Sequence, residues 1–128
     1  MGACSAAVMA DAGHSVAVFD ISRERIEKLG SGDIDVINSC LNEEKLGEYI
    51  IRNKERLSFT SQLQDIGNII DSADAVFLCL PTPEKPGSGG VSDLTHYLSG
   101  LEMLGKILVK RNKGKQSHYI LVINKSTV

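Results

Sequence analysis

Two residues separated by one short helix and one short strand have the chemistry to hold a nucleotide. Gly2 opens an alanine-rich run, Gly2–Ala12, that closes on Gly13-His14, and the apolar run Ser15–Phe19 then ends on Asp20. A glycine at a helix start lets the helix pack close to a sheet beneath a pyrophosphate, and an acidic residue about 20 positions on accepts the hydroxyls of a ribose. A carboxylate in that place also repels a 2′-phosphate, so the pair favours NAD over NADP. This is the second half of a dinucleotide-binding βαβ unit. The first half, a strand and the two glycines of the tight turn, is not in the sequence. Each residue also has a plainer role: Gly2 as a residue of a frayed terminus, Asp20 as the cap of the next turn.

Other reactive side chains form no comparable pattern. The three cysteines, Cys4, Cys40 and Cys79, include no C-x-x-C pair. An odd count of isolated cysteines suits a reducing compartment and argues against a disulfide scaffold or zinc site. His14, His96 and His118 lack metal-ligand spacing, so no metal site is expected.

The elements that must position Gly2 and Asp20 follow from apolar periodicity. Gly2–Ala12 reads as a helix with Gly13 as its C-cap. Ser15–Asp20 is apolar at consecutive positions, as in a strand covered on both faces. Ser22 caps a short helix carrying Ile26 and Leu29, stopped by Gly30 and Gly32. Residues 33–44 show no readable pattern. Leu46, Tyr49 and Ile50 have helical spacing, ending near Asn53, and Leu57–Thr60 is a short strand. Ser61-Gln62-Leu63-Gln64 matches a capping box ahead of a helix bearing Ile66, Ile69 and Ile70. Ala75–Leu80 is a second strand buried on both faces. Pro81–Gly90 is a loop holding all three prolines. Ser92 or Asp93 caps a long helix with Leu94, Leu98, Leu101, Leu104 and Leu108. Asn112–Ser117 is a polar turn, and Tyr119–Ile123 is the last buried strand.

Buried strands alternating with helices predict an α/β fold, a Rossmann-like doubly wound parallel sheet. In the strand order 3-2-1-4-5, strand 1 is central. It is the one the sequence lacks, and its place is between Ser15–Asp20 and Ala75–Leu80. The chain is therefore expected to be a partial nucleotide-binding domain over residues 1–128, cut at both ends, with no second domain. Unpaired groups on the two neighbouring strands, at ~1–3 kcal/mol for each one buried, would make the isolated piece marginal.

Composition narrows the function classes. Hydrophobic content of 42% and charged content of 23% are globular values. A net charge of −2 argues against a nucleic-acid binder. No stretch reaches the ~18 apolar residues of a membrane span. No charged region precedes an apolar core at the N-terminus, as a signal peptide requires. The expectation is a cytoplasmic protein.

Four segments together resemble the NAD-binding domain of the UDP-glucose/GDP-mannose dehydrogenase family: Gly2–His14, Val16–Leu29, Val76–Pro83 with the later Ser92–Tyr97, and Asn124–Val128 (N-K-S-T-V). The resemblance implies NAD as cofactor and a nucleotide sugar such as UDP-glucose as substrate. Its primary alcohol is oxidised twice to a carboxylate, with a thioester on a cysteine that belongs to a later part of the family's chain. It implies a homo-oligomer. It assigns cofactor contacts to Gly2, Asp20, Arg25, Thr82 and Ser126, and a catalytic role to Thr127 in positioning water. Against these stand plainer readings: a surface arginine at Arg25, a rigid strand exit at Thr82, helix caps at Ser126 and Thr127. Two departures from the family pattern stand out. Val36–Leu41 lacks the family's proline and glycine, and Pro81 removes a backbone N–H from the loop. A second function class stays open: a non-catalytic remnant that binds a protein partner through exposed sheet edges.

Overall fold

The computed structural model describes residues 2–113 and 119–126. The chain forms two compact units, residues 1–66 and 67–128.

In the first unit, α1 (Gly2–Asp11) buries Ala3, Ala6, Ala7 and Ala10. That spacing is one helical face, and methyl-sized side chains let it lie close on β1 (Val16–Phe19). Gly13 closes the helix at φ +102°, with its N–H on Ala10 O and the His14 N–H on Met9 O. β1 pairs in parallel with β2 (Leu57–Thr60), Val16 opposite Leu57 and Phe19 opposite Thr60. Three helices make the crossover. In α2 (Arg23–Leu29), the Ser22 hydroxyl accepts from the Arg25 N–H, as expected of the cap. α3 (Ile34–Leu41) occupies the stretch that showed no pattern. Its cap is Asp33, whose carboxylate accepts from the Asp35 and Val36 N–H groups, and Asn42 ends it at φ 54°. α4 (Leu46–Arg52) follows. Leu29, Ile37, Leu46, Ile50 and Leu57 join the alanine face in one core. Fully burying a side chain such as Leu29 or Ile37 contributes about 2 kcal/mol.

α5 (Leu63–Ser72) starts differently from the expected Ser61–Gln64 box. The Thr60 hydroxyl accepts from the Gln62 N–H at 3.0 Å and donates to the Asp65 carboxylate at 2.7 Å, tying the end of β2 to the first turn of α5.

In the second unit, β3 (Ala75–Leu78) pairs in parallel with β4 (Leu121–Asn124), joined through α6 (Thr95–Asn112). Asp93 holds the first turn of α6, accepting from both the N–H and the hydroxyl of Thr95. The predicted turn at Asn112–Ser117 falls mostly on residues 114–118, outside the described ones, and Asn112 itself is still helical.

The pairings are β2-β1 and β3-β4, the 3-2 and 4-5 halves of the expected order. Among the described residues no strand pairs with the other edge of β1 or β3. The expectation of strands covered on both faces is corrected. Ala17, Phe77, Leu121 and Val122 are exposed, because each sheet has two strands and leaves part of its surface to solvent. Consecutive apolar residues registered strand character correctly but overstated the covering. β3 is also shorter than predicted, ending at Leu78.

Candidate functional site

Asp20 follows β1 directly, and its N–H still bonds to Thr60 O at 3.2 Å, continuing the sheet by one residue. Its carboxylate is held at both oxygens. Oδ1 accepts from the Ser22 N–H at 2.8 Å, and Oδ2 accepts from Arg25 Nη1 at 2.8 Å. The side chain stays 25% exposed, and that of Arg25 is 49% exposed. The hydrogen bond and charge of Asp20 raise the Arg25 pKa above its ordinary value, so the guanidinium is a permanent counter-ion. Two carboxylate oxygens offer about four acceptor directions, and the two bonds leave room for a diol. The cap role and the ribose role of Asp20 are thus compatible.

Gly2 starts α1. The short connection from α1 to β1 turns the chain back on itself, and the two elements pack together. Gly2 and Asp20 therefore lie at the same end of the first unit. The alanine face supplies the close helix–sheet approach that the glycine pattern called for.

In the second unit, the strand exits carry Thr82 and Ser126. Lys125 N–H bonds to Leu78 O at 2.9 Å. The Ser126 hydroxyl donates to the same carbonyl at 3.2 Å and accepts from the Leu80 N–H at 3.0 Å. The Ser126 N–H in turn bonds to the Asn124 side chain at 3.0 Å. Thr82 follows, half-buried, in the loop that leaves β3. The loop is cross-braced at its neck: Asp93 N–H bonds to Pro83 O, Lys85 N–H to Val91 O, and Gly90 N–H to the Glu84 carboxylate. Thr127, assigned a catalytic role from the sequence, lies outside the described residues.

The structure thus groups Gly2, Asp20 and Arg25 in one unit, and Thr82 and Ser126 in the other. The Ser22 N–H on Asp20 is the turn cap that the sequence offered as the plainer role of Asp20. The two hydrogen bonds of Ser126 to the β3 exit escaped sequence reasoning, because their partners are remote in sequence. Cys4, Cys40 and Cys79 are free thiols. Among the described residues no group of three or more His, Cys, Asp or Glu side chains is placed to hold a metal ion, and no helix is long and apolar enough to cross a membrane.

Comparison with known proteins identifies the family. The NAD-binding domain of the UDP-glucose/GDP-mannose dehydrogenase family matches residues 1–128. The chain belongs to that family. NAD is the cofactor of the domain that it matches. The chain is 33% identical over 131 residues to the UDP-glucose 6-dehydrogenase of Pseudomonas aeruginosa, covering 100% of this chain and 25% of that protein. It is 33% identical over 129 residues to the UDP-glucose 6-dehydrogenase of Haloferax volcanii, covering 100% of this chain and 26% of that one. A ternary-complex structure of GDP-mannose dehydrogenase from P. aeruginosa superimposes with a TM-score of 0.66 at 25% identity, over 99% of this chain and 26% of its own. The α/β fold with parallel strands is therefore that of the family domain. The chain spans about a quarter of the length of the curated relatives it matches.

Proposed function

We propose that this chain supplies the NAD-binding part of a nucleotide-sugar 6-dehydrogenase resembling UDP-glucose 6-dehydrogenase, and that turnover needs segments beyond those described. The observation that carries the reading is the Asp20 carboxylate. It sits at the C-terminal end of a parallel strand, where α/β sheets bind ligands, partly exposed and fixed by the Ser22 N–H and Arg25. Its fit to the cofactor is chemical: a carboxylate accepts the two hydroxyls of an adenosine ribose and repels a 2′-phosphate.

When bound, NAD accepts hydride from the substrate alcohol. The chain's own residues bind and orient. Asp20 holds the ribose, Arg25 keeps Asp20 in place beside the adenosine end, and Gly2 leaves room for the phosphates at the start of α1. Thr82 contributes from the β3 exit, Ser126 orients that exit from the end of β4, and Thr127 positions water. The full reaction oxidises the primary alcohol of a nucleotide sugar to a carboxylate, with two hydrides passing to two NAD⁺ and one water incorporated. The enzyme so formed is cytoplasmic and homo-oligomeric on this reading.

Calorimetric titration of NAD⁺ into the chain tests the proposal. NAD⁺ should bind, NADP⁺ should bind more weakly, and Asp20→Ala should weaken NAD⁺ by about 10–100-fold, the value of hydrogen bonds to a charged group. The open edges of β1 and β3 support the other reading, a protein-binding remnant. No NAD⁺ affinity, together with a stable complex formed through those edges, would replace the dehydrogenase reading with that one.

A further inference from the structure

We infer that Ser126 is a positioning residue, not a cofactor ligand: its hydroxyl clamps the exit of β3 and so sets the path of the Pro81-Thr82-Pro83 loop. The inference deepens the proposed function and rests on it for the identity of the ligand.

The hydroxyl has one proton and two lone pairs. The proton is directed at Leu78 O, and one lone pair takes the Leu80 N–H. Leu78 O is shared with the Lys125 N–H, so both of its acceptor sites are in use. A phosphate oxygen needs a donor, and the Ser126 hydroxyl has none left to give without releasing Leu78. The arrangement therefore opposes a direct phosphate contact and favours a structural one.

The sequence of the loop explains why a clamp is needed. Pro81 and Pro83 have no N–H, so from Leu80 to Pro83 only Leu80 and Thr82 carry a main-chain donor. The Leu80 amide is the last one before the first proline, at the point where strand pairing with β4 ends. Ser126 takes that amide just past the Lys125–Leu78 bond and so carries the cross-link one step beyond the sheet. A proline fixes φ near −65°, so the direction given to Leu80 is passed on to Thr82 with little slack. Leu80 also borders α6: a methyl group at Gly100 would collide with the end of its side chain.

The test compares wild-type chain, Ser126→Ala and Ser126→Thr, reading amide exchange at Leu80 by NMR and NAD⁺ affinity by calorimetry on the same samples. In wild type the Leu80 amide should exchange at least about tenfold more slowly than in a free peptide, as a protected hydrogen bond does. Ser126→Ala should erase most of that protection and weaken NAD⁺ about tenfold, and Ser126→Thr, which keeps the hydroxyl, should restore both. Weaker NAD⁺ binding in Ser126→Ala with Leu80 exchange unchanged would mark a direct ligand and overturn the inference. Faster exchange with unchanged affinity would overturn it as well. If Ser126→Ala does not fold, an unprotected Leu80 in wild type, or lost protection in Ser126→Thr, decides against the clamp. A wild type that protects Leu80 but does not bind NAD⁺ would refute the proposed function while leaving the clamp standing.

Discussion

Gly47→Ala separates two opposite expectations for a helical glycine. Gly47 lies in α4 and is buried. Alanine in a helix interior is normally favoured over glycine by about 1 kcal/mol. Here a Cβ would meet Ile34 O at 2.8 Å, Ile34 Cα at 2.9 Å and Asn38 Oδ1 at 3.0 Å. Two of these are backbone atoms of α3 and cannot swing away, so α3 and α4 must separate. Overpacking of this kind costs about 1–3 kcal/mol. The separation also loosens the Gly47 N–H bond to Asn38 Oδ1 at 2.7 Å, and through Asn38 the bond from its Nδ2 to Glu44 O at 2.8 Å, each worth about 1 kcal/mol. Against the propensity gain, the net expectation is a loss of about 2 kcal/mol. Urea unfolding followed by circular dichroism should show a lower midpoint with an unchanged slope. The matched control is Gly67→Ala in α5, where a Cβ meets nothing within 4 Å, and which should gain about 0.5–1 kcal/mol. A Gly47→Ala midpoint at or above wild type would refute the close-approach argument, as would a Gly67→Ala loss of similar size.

Two further predictions concern polar groups. Asn53 is buried, and its amide donates to Asp11 Oδ1 at 3.0 Å and Tyr49 O at 2.9 Å while its oxygen accepts from Arg56 at 3.3 Å. Asn53→Ala should therefore cost about 2–3 kcal/mol by the same urea assay, and Asn53→Asp should not rescue it, since a carboxylate would face Asp11. The second concerns acid. Hydrogen bonds from Asn53 and then Arg52 hold the Asp11 pKa below its ordinary value, and those from the Thr95 hydroxyl and N–H do the same for Asp93. For a carboxyl depressed in the folded state, the stabilisation is complete above the unfolded pKa of about 3.9 and is lost as pH falls through the folded one. Tm should thus fall below about pH 4, and Asp11→Asn should flatten that fall. An Asp11→Asn variant with the acid profile of wild type would exclude the ion cluster as a source of the pH dependence.

The sequence exposed those parts of the fold whose causes are local. Ser22 capping α2, Gly13 closing α1 and the alanine face of α1 each depend on residues within one or two turns, and each was legible. α3 was not: in eight residues the spacing of Ile34, Ile37 and Leu41 and the Asp33 cap are too short a run to stand out from the sequence around them. The bond from the Thr60 hydroxyl to Asp65 at the start of α5 was not read, because attention went to the Ser61–Gln64 pattern beside it. The covering of the strands was overread, since an apolar run reports a preference for burial and not how many neighbours lie beside it. Among site residues, Asp20 was legible from its place at a strand end. The double bond of Ser126 was not, because Leu78 and Leu80 are far away in the chain and reach it only through parallel pairing.

The same division between local and remote causes explains how the candidate residues are held. Each group is held by contacts inside its own unit. Asp20 is fixed by Ser22 and Arg25, two and five residues further along the chain. Leu80, ahead of Thr82, is fixed by Ser126 across the β3–β4 pair. Neither arrangement draws on a side chain from the other unit. The two arrangements share no residue, so the Asp20 and Ser126 experiments bear on separate groups of contacts, and substitutions at the two positions should act additively on NAD⁺ affinity.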